Sequence, residues 1–275
     1  MKLSVCIETI FTRRPLLERL DSVAESGLPA FEIWGWKDKD LAAIMDRKEH
    51  HGLEIVNLNL DPPVCLLDGD AIPAFVRGVR ESCHVARQLG CRRMTVHVQD
   101  VPHGAGEPWY SYLGDGGGRT QHRVQRDNIV RALKEAAPIA EDEGITLLLE
   151  PLNTLVDHAG YFIGSSQEGF EIIQEVGGPA IRLLFDAYHM QINEGNLISN
   201  LTGNIGLVGH IHLADVPGRH EPGTGEIDFT NVLSAARRAG YDGYVGLEYV
   251  PSGDDVASLQ FIRRVVDQVN RGEEG

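Results

Sequence analysis

The sequence predicts an α/β protein whose chain closes as a (β/α)8 barrel, a single domain spanning residues 1–275. Three observations lead there. Eight apolar, strand-like runs alternate with helix-like segments along the chain, the pattern of parallel strands joined by helical crossovers. Helix after helix ends on glycine shortly before the next strand, at Gly27, Gly52, Gly90, Gly144 and Gly240, as a left-handed helix cap favours. Finally, Glu150, Asp186, His212 and Glu248 close the fifth to eighth apolar runs, and in a closed barrel those strand ends ring one mouth. An open doubly wound sheet also accommodates eight strands, but its ligand usually lies at a switch point near the first of them.

Taken in order, the expected strands are Leu3–Ile7, Phe31–Trp36, Glu54–Leu60, Met94–Val98, Ile145–Glu150, Ile181–Asp186, Val208–Leu213 and Tyr244–Glu248. Each is a short run rich in aliphatic or aromatic residues bounded by turn formers. The segments Pro15–Ser26, Leu41–His51, Phe75–Leu89, Val124–Asp142, Gln167–Val176 and Val232–Ala239 carry the 3.6-residue periodicity of helices, with Asn196–Asn204 the weakest and Val256–Val269 closing the chain. The stretch from Gln99 to Thr120, with Pro-His-Gly-Ala-Gly and Gly-Asp-Gly-Gly-Gly, is too long and irregular for a plain connection and reads as a candidate lid.

A hydrophobic fraction of 42% and a charged fraction of 24% suit a globular chain with a large core. The formal charge of −15 opposes binding to nucleic acid or to an anionic membrane surface. Cys6, Cys65, Cys83 and Cys91 lack the paired spacing of zinc or redox motifs, so reduced thiols are expected. With no signal-like start and no apolar run of about 18 residues, the expectation is a soluble cytoplasmic protein.

Function is concentrated in the second half. Three carboxylates and one imidazole, delivered to one mouth by Glu150, Asp186, His212 and Glu248, make a hard site for Mg²⁺ or Mn²⁺, one that Zn²⁺, Co²⁺ or Ni²⁺ also accepts. Any one of them alone reads as a helix cap or a core histidine; four at equivalent strand ends point to a shared ion. Glu150 and Glu248 are placed to act across a substrate, one removing a proton and the other returning it. His189 and Arg219 are candidates for binding substrate oxygens, Arg219 through a bidentate fork. His97 and Gln99 are candidate pocket residues at the end of the fourth strand. Trp34, Trp36 and Trp109 are candidates for excluding water. His210, one strand face with His212, reads as packing or support, and Glu221 and Glu226 as residues that structure the loop after strand seven.

The stretches Leu147-Leu-Leu-Glu150-Pro-Leu-Asn153, Asp186-Ala-Tyr-His189-Met-Gln191, His210-Ile-His212-Leu-Ala-Asp215-Val-Pro-Gly-Arg219 with its continuation to Glu226-Ile227, and Gly246-Leu-Glu248-Tyr together resemble the xylose-isomerase-like TIM barrels, most closely the hydroxypyruvate isomerases. The segment Glu32-Ile-Trp-Gly-Trp-Lys-Asp-Lys-Asp-Leu41 extends the resemblance to the first half. It implies a divalent metal held by Glu150, Asp186, His212 and Glu248, proton transfer by Glu150 and Glu248, a small hydroxy-carbonyl substrate and a homo-oligomer. Hydroxypyruvate isomerases often carry glutamine where this chain has His212; the related ketose 3-epimerases carry histidine there. They also place an acidic residue shortly after the first metal-binding glutamate, a position for which Asp157 is the available counterpart. A ketose 3-epimerase and an inosose-type dehydratase on the same scaffold therefore stand as alternatives. An apurinic endonuclease of this fold would need further zinc-binding histidines and a surface friendlier to DNA.

Overall fold

The structure, a computed structural model, describes residues 1–99 and 118–272. Its centre is a closed barrel of eight parallel strands that pair in sequence order, the first with the last. They are β1 (Lys2–Cys6), β2 (Ala30–Ile33), β3 (Glu54–Asn59), β4 (Arg93–Val96), β5 (Thr146–Leu149), β6 (Ile181–Asp186), β7 (Val208–Leu213) and β8 (Tyr244–Leu247). Ten α-helices lie among the described residues: α1 (Leu16–Glu25), α2 (Leu41–His51), α3 (Ile72–Leu89), α4 (Gly118–Glu143), α5 (Ser166–Val176), α6 (Ala187–Asn193), α7 (Leu197–Gly203), α8 (Phe229–Arg238), α9 (Asp255–Ser258) and α10 (Gln260–Arg271). A strand covered by helices on one side and barrel interior on the other has no solvent face, so its sequence need not alternate. Thr-Leu-Leu-Leu of β5 and Ala-Phe-Glu-Ile of β2 show the result: every residue but Thr146 is buried.

The helices begin and end for local reasons. Asp40, Ser165 and Asp228 cap α2, α5 and α8 by accepting a backbone N–H three residues on. All five glycines expected to follow helices have positive φ. Two features differ from the sequence reading. The helix α6 was not expected, because its seven residues leave no room for a readable period. The last helical segment divides at Leu259 into α9 and α10.

Register sets the site. Asp186 pairs with His212 across β6 and β7, and His212 pairs with Gly246 across β7 and β8. Glu150 and Glu248 each follow the last residue of their strand. All four therefore belong to the carboxyl ends of β5–β8, the mouth at which barrels of this kind place their chemistry. No described helix is long and apolar enough to cross a membrane. Residues 100–117 of the expected lid, Trp109 among them, lie outside the described residues.

Candidate active site

One oxygen or nitrogen from each of Glu150, Asp186, His212 and Glu248 falls within 4.8 Å of the others, and all four residues are buried. Each also has a second polar atom tied to the protein. Glu150 Oε2 is 2.8 Å from His97 Nε2. Asp186 Oδ1 accepts the Tyr188 N–H at 2.8 Å, capping α6. His212 Nε2 lies 2.9 Å from Glu32 Oε2. Glu248 Oε1 accepts from Trp34 Nε1 at 2.8 Å, and its Oε2 from Arg219 Nη2 at 2.7 Å. These contacts leave Glu150 Oε1, Asp186 Oδ2 and His212 Nδ1 buried and without a hydrogen-bond partner. Orphaned buried polar atoms are costly and uncommon, and three that converge fit a divalent cation with oxygen and nitrogen donors.

The electrostatics agree. Burial pushes the Asp186 carboxyl up to about 7 against the pull of Arg219 and His212, with Glu150 and Glu248 adding to the rise. Glu248 suffers the same burial, yet His212, Arg219 and Trp34 hold it below the usual carboxylate range. Burial also opposes charge on His212, but Glu32 and Glu248 outweigh it and hold the imidazole well above its ordinary value. Crowded carboxylates of this kind are relieved by a bound cation.

His189 is 1% exposed, and its Nδ1 accepts from Asn153 Nδ2 at 2.8 Å and from the Asn153 backbone N–H at 3.2 Å. A ring nitrogen that accepts twice carries no proton, so the proton is on Nε2. That atom lies 3.6 Å from Asp186 Oδ2, too far for a hydrogen bond, and remains free to donate into the site. Burial first, then Arg219, keeps this imidazole neutral, its pKa well below the ordinary value. Asp157 takes part from behind: its Oδ2 accepts from Asn153 Nδ2 at 2.7 Å.

Arg219 sits on the loop after β7 with positive φ, and its guanidinium lies over the Tyr188 ring at 5.2 Å. Arg219 lines the cavity, and its Nη2 donates to Glu248 at 2.7 Å and stands 3.9 Å from Asp186 Oδ2. His97 likewise lines the cavity, but its hydrogen bond goes to Glu150. Gln99 is structural, its Oε1 accepting the Phe162 N–H. Trp34 walls the cavity, whereas Trp36 bonds Ser82 beside the outer chamber. Glu221 anchors Ser252 and Glu226 meets Gln191, so both structure loops as expected.

Three contributors escaped the sequence reading. His158 lines the cavity 5.3 Å from the His189 ring, and burial and Arg219 bring its pKa down to about 4. Asp215, fully buried, accepts the backbone N–H groups of Val216, Gly223, Gly225 and Ile227. It fastens the loop that carries Arg219. Gly225 is required there, since a Cβ would come within 2.1 Å of the Val216 carbonyl oxygen. The third is Glu32, whose carboxylate joins His210 and His212 in a second compact cluster. The facing nitrogens of that cluster are already engaged in hydrogen bonds to Glu32, so it is a polar network.

The inner cavity, about 90 Å³, opens past Trp34, Asn59 and His97 into an outer chamber of about 380 Å³ bordered by Glu8, Lys37 and Lys39. The larger space is the outer one, yet the clustered carboxylates face the inner one.

Residues 20–265 match the model of the xylose isomerase-like TIM barrel. The chain belongs to this family. Among its relatives, a putative hydroxypyruvate isomerase of Danio rerio is 32% identical over 99% of this chain and 98% of that protein. The hydroxypyruvate isomerase of Escherichia coli (strain K12) is 28% identical over 95% of this chain and 98% of its own. The 2-oxo-tetronate isomerase of Haemophilus influenzae is 28% identical over 96% and 98%. Of solved structures, AP endonuclease, family 2, from Brucella melitensis has TM-score 0.84 at 27% identity, covering 96% of this chain and 99% of that one. L-ribulose 3-epimerase, at 20% identity and TM-score 0.78, shares the family's fold over 99% and 97% of the two chains. Full-length family relatives named as isomerases support an isomerase on this scaffold.

Proposed function

We propose that the chain is a divalent-metal-dependent isomerase of a small hydroxy-carbonyl acid, moving a carbonyl between adjacent carbons by proton transfer through an enediolate. The observation that carries this reading is the convergence of Glu150 Oε1, Asp186 Oδ2 and His212 Nδ1, all buried and unpartnered, beside Glu248. Those four residues would hold the cation, which when bound polarises neighbouring carbonyl and hydroxyl oxygens and acidifies the proton between them.

The rest is the work of this chain's side chains. Glu150 has Oε2 fixed by His97 and Oε1 turned toward the cation site, so the lone pair that Oε2 keeps is the one that exchanges a proton with substrate. Glu248, held ionised by Trp34 and Arg219 on its two oxygens, removes the α-proton on a remaining lone pair. Glu150 gives a proton to the adjacent carbon from the other side, and the hydroxyl proton passes to the former carbonyl oxygen. The two glutamates have exchanged protonation states when the turnover ends. His189, with its proton on Nε2, donates to a substrate oxygen on which charge develops. Trp34, Leu152 and His158 narrow the cavity and exclude water from it. A nucleic-acid substrate is opposed by the charge of −15.

A second reading, a sugar epimerase with the same proton-transfer pair, is favoured by the outer chamber, which gives a longer chain somewhere to lie. Proton NMR in D2O separates the two. The Mg²⁺-loaded protein is expected to exchange the α-proton of hydroxypyruvate or 2-oxo-tetronate and convert it, and to leave ketohexoses and inosose unchanged. Turnover of ketohexoses alone would favour the second reading. Glu150→Gln and Glu248→Gln are each expected to abolish exchange in a folded protein; exchange at the wild-type rate removes that residue from proton transfer.

A further inference from the structure

The interior of this barrel departs from the apolar layers that fill most barrels of its kind. Glu32 on β2 is 2% exposed, and its carboxylate receives donors from three other strands. On Oε1 it meets Ser4 Oγ and, at 2.9 Å, His210 Nε2; on Oε2 it meets Asn57 Nδ2 at 3.1 Å and His212 Nε2 at 2.9 Å. A buried carboxylate is costly unless it is paired and fully hydrogen-bonded, and this one is both. Gly246 on β8 makes the space: a Cβ there would lie 2.3 Å from Glu32 Oε1 and 2.6 Å from His212 Cδ2.

The consequence falls on His212. A carboxylate only accepts, so the nitrogen facing it is the one that carries the proton. With Nε2–H on Glu32, Nδ1 is the nitrogen that would give up its proton to a metal, and it is turned toward Glu150, Asp186 and Glu248, 3.6 Å from Glu248 Oε2. We infer that Glu32 is a positioning residue, fixing the tautomer and ring orientation of His212 so that Nδ1 is offered to a divalent cation. This rests on the metal site proposed above. Glutamine at this position has a single acceptor oxygen and cannot accept from His210 and His212 on both sides, so one imidazole must turn, change tautomer or lose its bond.

The test is Mn²⁺ binding by calorimetry to metal-free wild type, Glu32→Gln and Asp186→Asn, with circular dichroism to verify the fold. Glu32→Gln is expected to bind Mn²⁺ roughly 10–100-fold more weakly, the usual effect of losing a group that orients a ligand. A folded Glu32→Gln that binds within twofold of wild type, while Asp186→Asn binds weakly, overturns the role of Glu32 alone. Asp186→Asn binding as tightly as wild type, or a wild type that takes no Mn²⁺, overturns the site and this inference with it. Long-range ¹⁵N NMR of Zn²⁺-loaded wild type gives a readout that needs no variant to fold. It should find His212 protonated on Nε2 and metal-shifted on Nδ1; a proton on Nδ1 overturns the inference.

Discussion

Replacing Asp215 by alanine tests whether the loop that holds Arg219 is built from within. The carboxylate is fully buried and accepts four backbone N–H groups, from Val216 at 2.9 Å, Gly223 at 2.8 Å, Gly225 at 2.9 Å and Ile227 at 3.1 Å. A hydrogen bond to a charged group contributes about 1.5–3 kcal/mol. Bonds to one carboxylate are not additive, and part of the loop can rehydrate, so the expected loss is ~3–5 kcal/mol. At roughly 2–4 °C per kcal/mol for a chain of this size, Tm falls by about 6–20 °C. Guanidinium denaturation followed by tryptophan fluorescence measures the first quantity. Hydrogen exchange read by mass spectrometry should lose protection at residues 216–227, and Arg219 should leave Glu248. A loss under about 1 kcal/mol, within the range of an ordinary surface substitution, with protection of that segment intact, would refute the account. Asp215→Asn keeps one acceptor oxygen and turns an NH2 toward the other pair of donors, so it should not rescue the loop.

Two other predictions concern the histidines. Asn153→Asp replaces the shorter of the two N–H donors on His189 Nδ1 by a charged acceptor, which outweighs the backbone N–H that remains, draws the proton to Nδ1 and strips it from the nitrogen facing the site. A fall of about 100-fold in kcat, equivalent to ~2.7 kcal/mol, with KM little changed, is expected from steady-state kinetics; wild-type kcat would mean that His189 does not donate. His158, brought down to about 4, and His189 and His210, lowered by burial, resist protonation in the fold, whereas the unfolded chain takes up those protons near 6.5. Their contribution to stability is complete above 6.5 and is lost as pH falls toward 4. Asp186, raised to about 7, and His212, raised above its ordinary value, work in the opposite sense, since the fold binds their protons before the unfolded chain does. Two groups against three lowered imidazoles leave a net fall, smallest in the first step below pH 7. Urea denaturation of chelator-treated protein at pH 7, 6 and 5 should show stability dropping at each step, and a flat profile would contradict the burial of these imidazoles.

What the sequence discloses, and what it conceals, divides by distance along the chain. Strands buried on both faces are continuous apolar runs, so all eight were legible, β6 and β7 to the residue. Glu150, Asp186, His212 and Glu248 were legible because each terminates such a run. Several expected strands run past the point where pairing stops, at Ile7, Trp36, Leu60, Val98, Glu150 and Glu248, because the residues beyond the last pair stay in the extended run without being paired. The groups that orient the four leave no local trace. Glu32 meets His212 across 180 residues and Trp34 meets Glu248 across 214. Asp215 stood inside a quoted motif, yet its task, collecting N–H groups up to 12 residues ahead, is a property of the folded loop.

The charge around the site supports the divalent cation proposed for it. Glu150, Asp186 and Glu248 crowd one buried mouth, and Arg219 is the guanidinium set against them. Three carboxylates against one guanidinium leave two negative charges in a volume screened from water, where like charges repel strongly. The raised Asp186 expresses that excess. A divalent ion cancels it, whereas a monovalent ion leaves one charge uncompensated in the same buried space. The protein could have removed the excess with a second arginine, as structural ion-pair clusters do; it instead leaves one atom each of Glu150, Asp186 and His212 without a hydrogen-bond partner. An uncompensated charge beside three buried atoms without hydrogen-bond partners supports the proposed occupant, an ion of two positive charges that prefers oxygen and nitrogen.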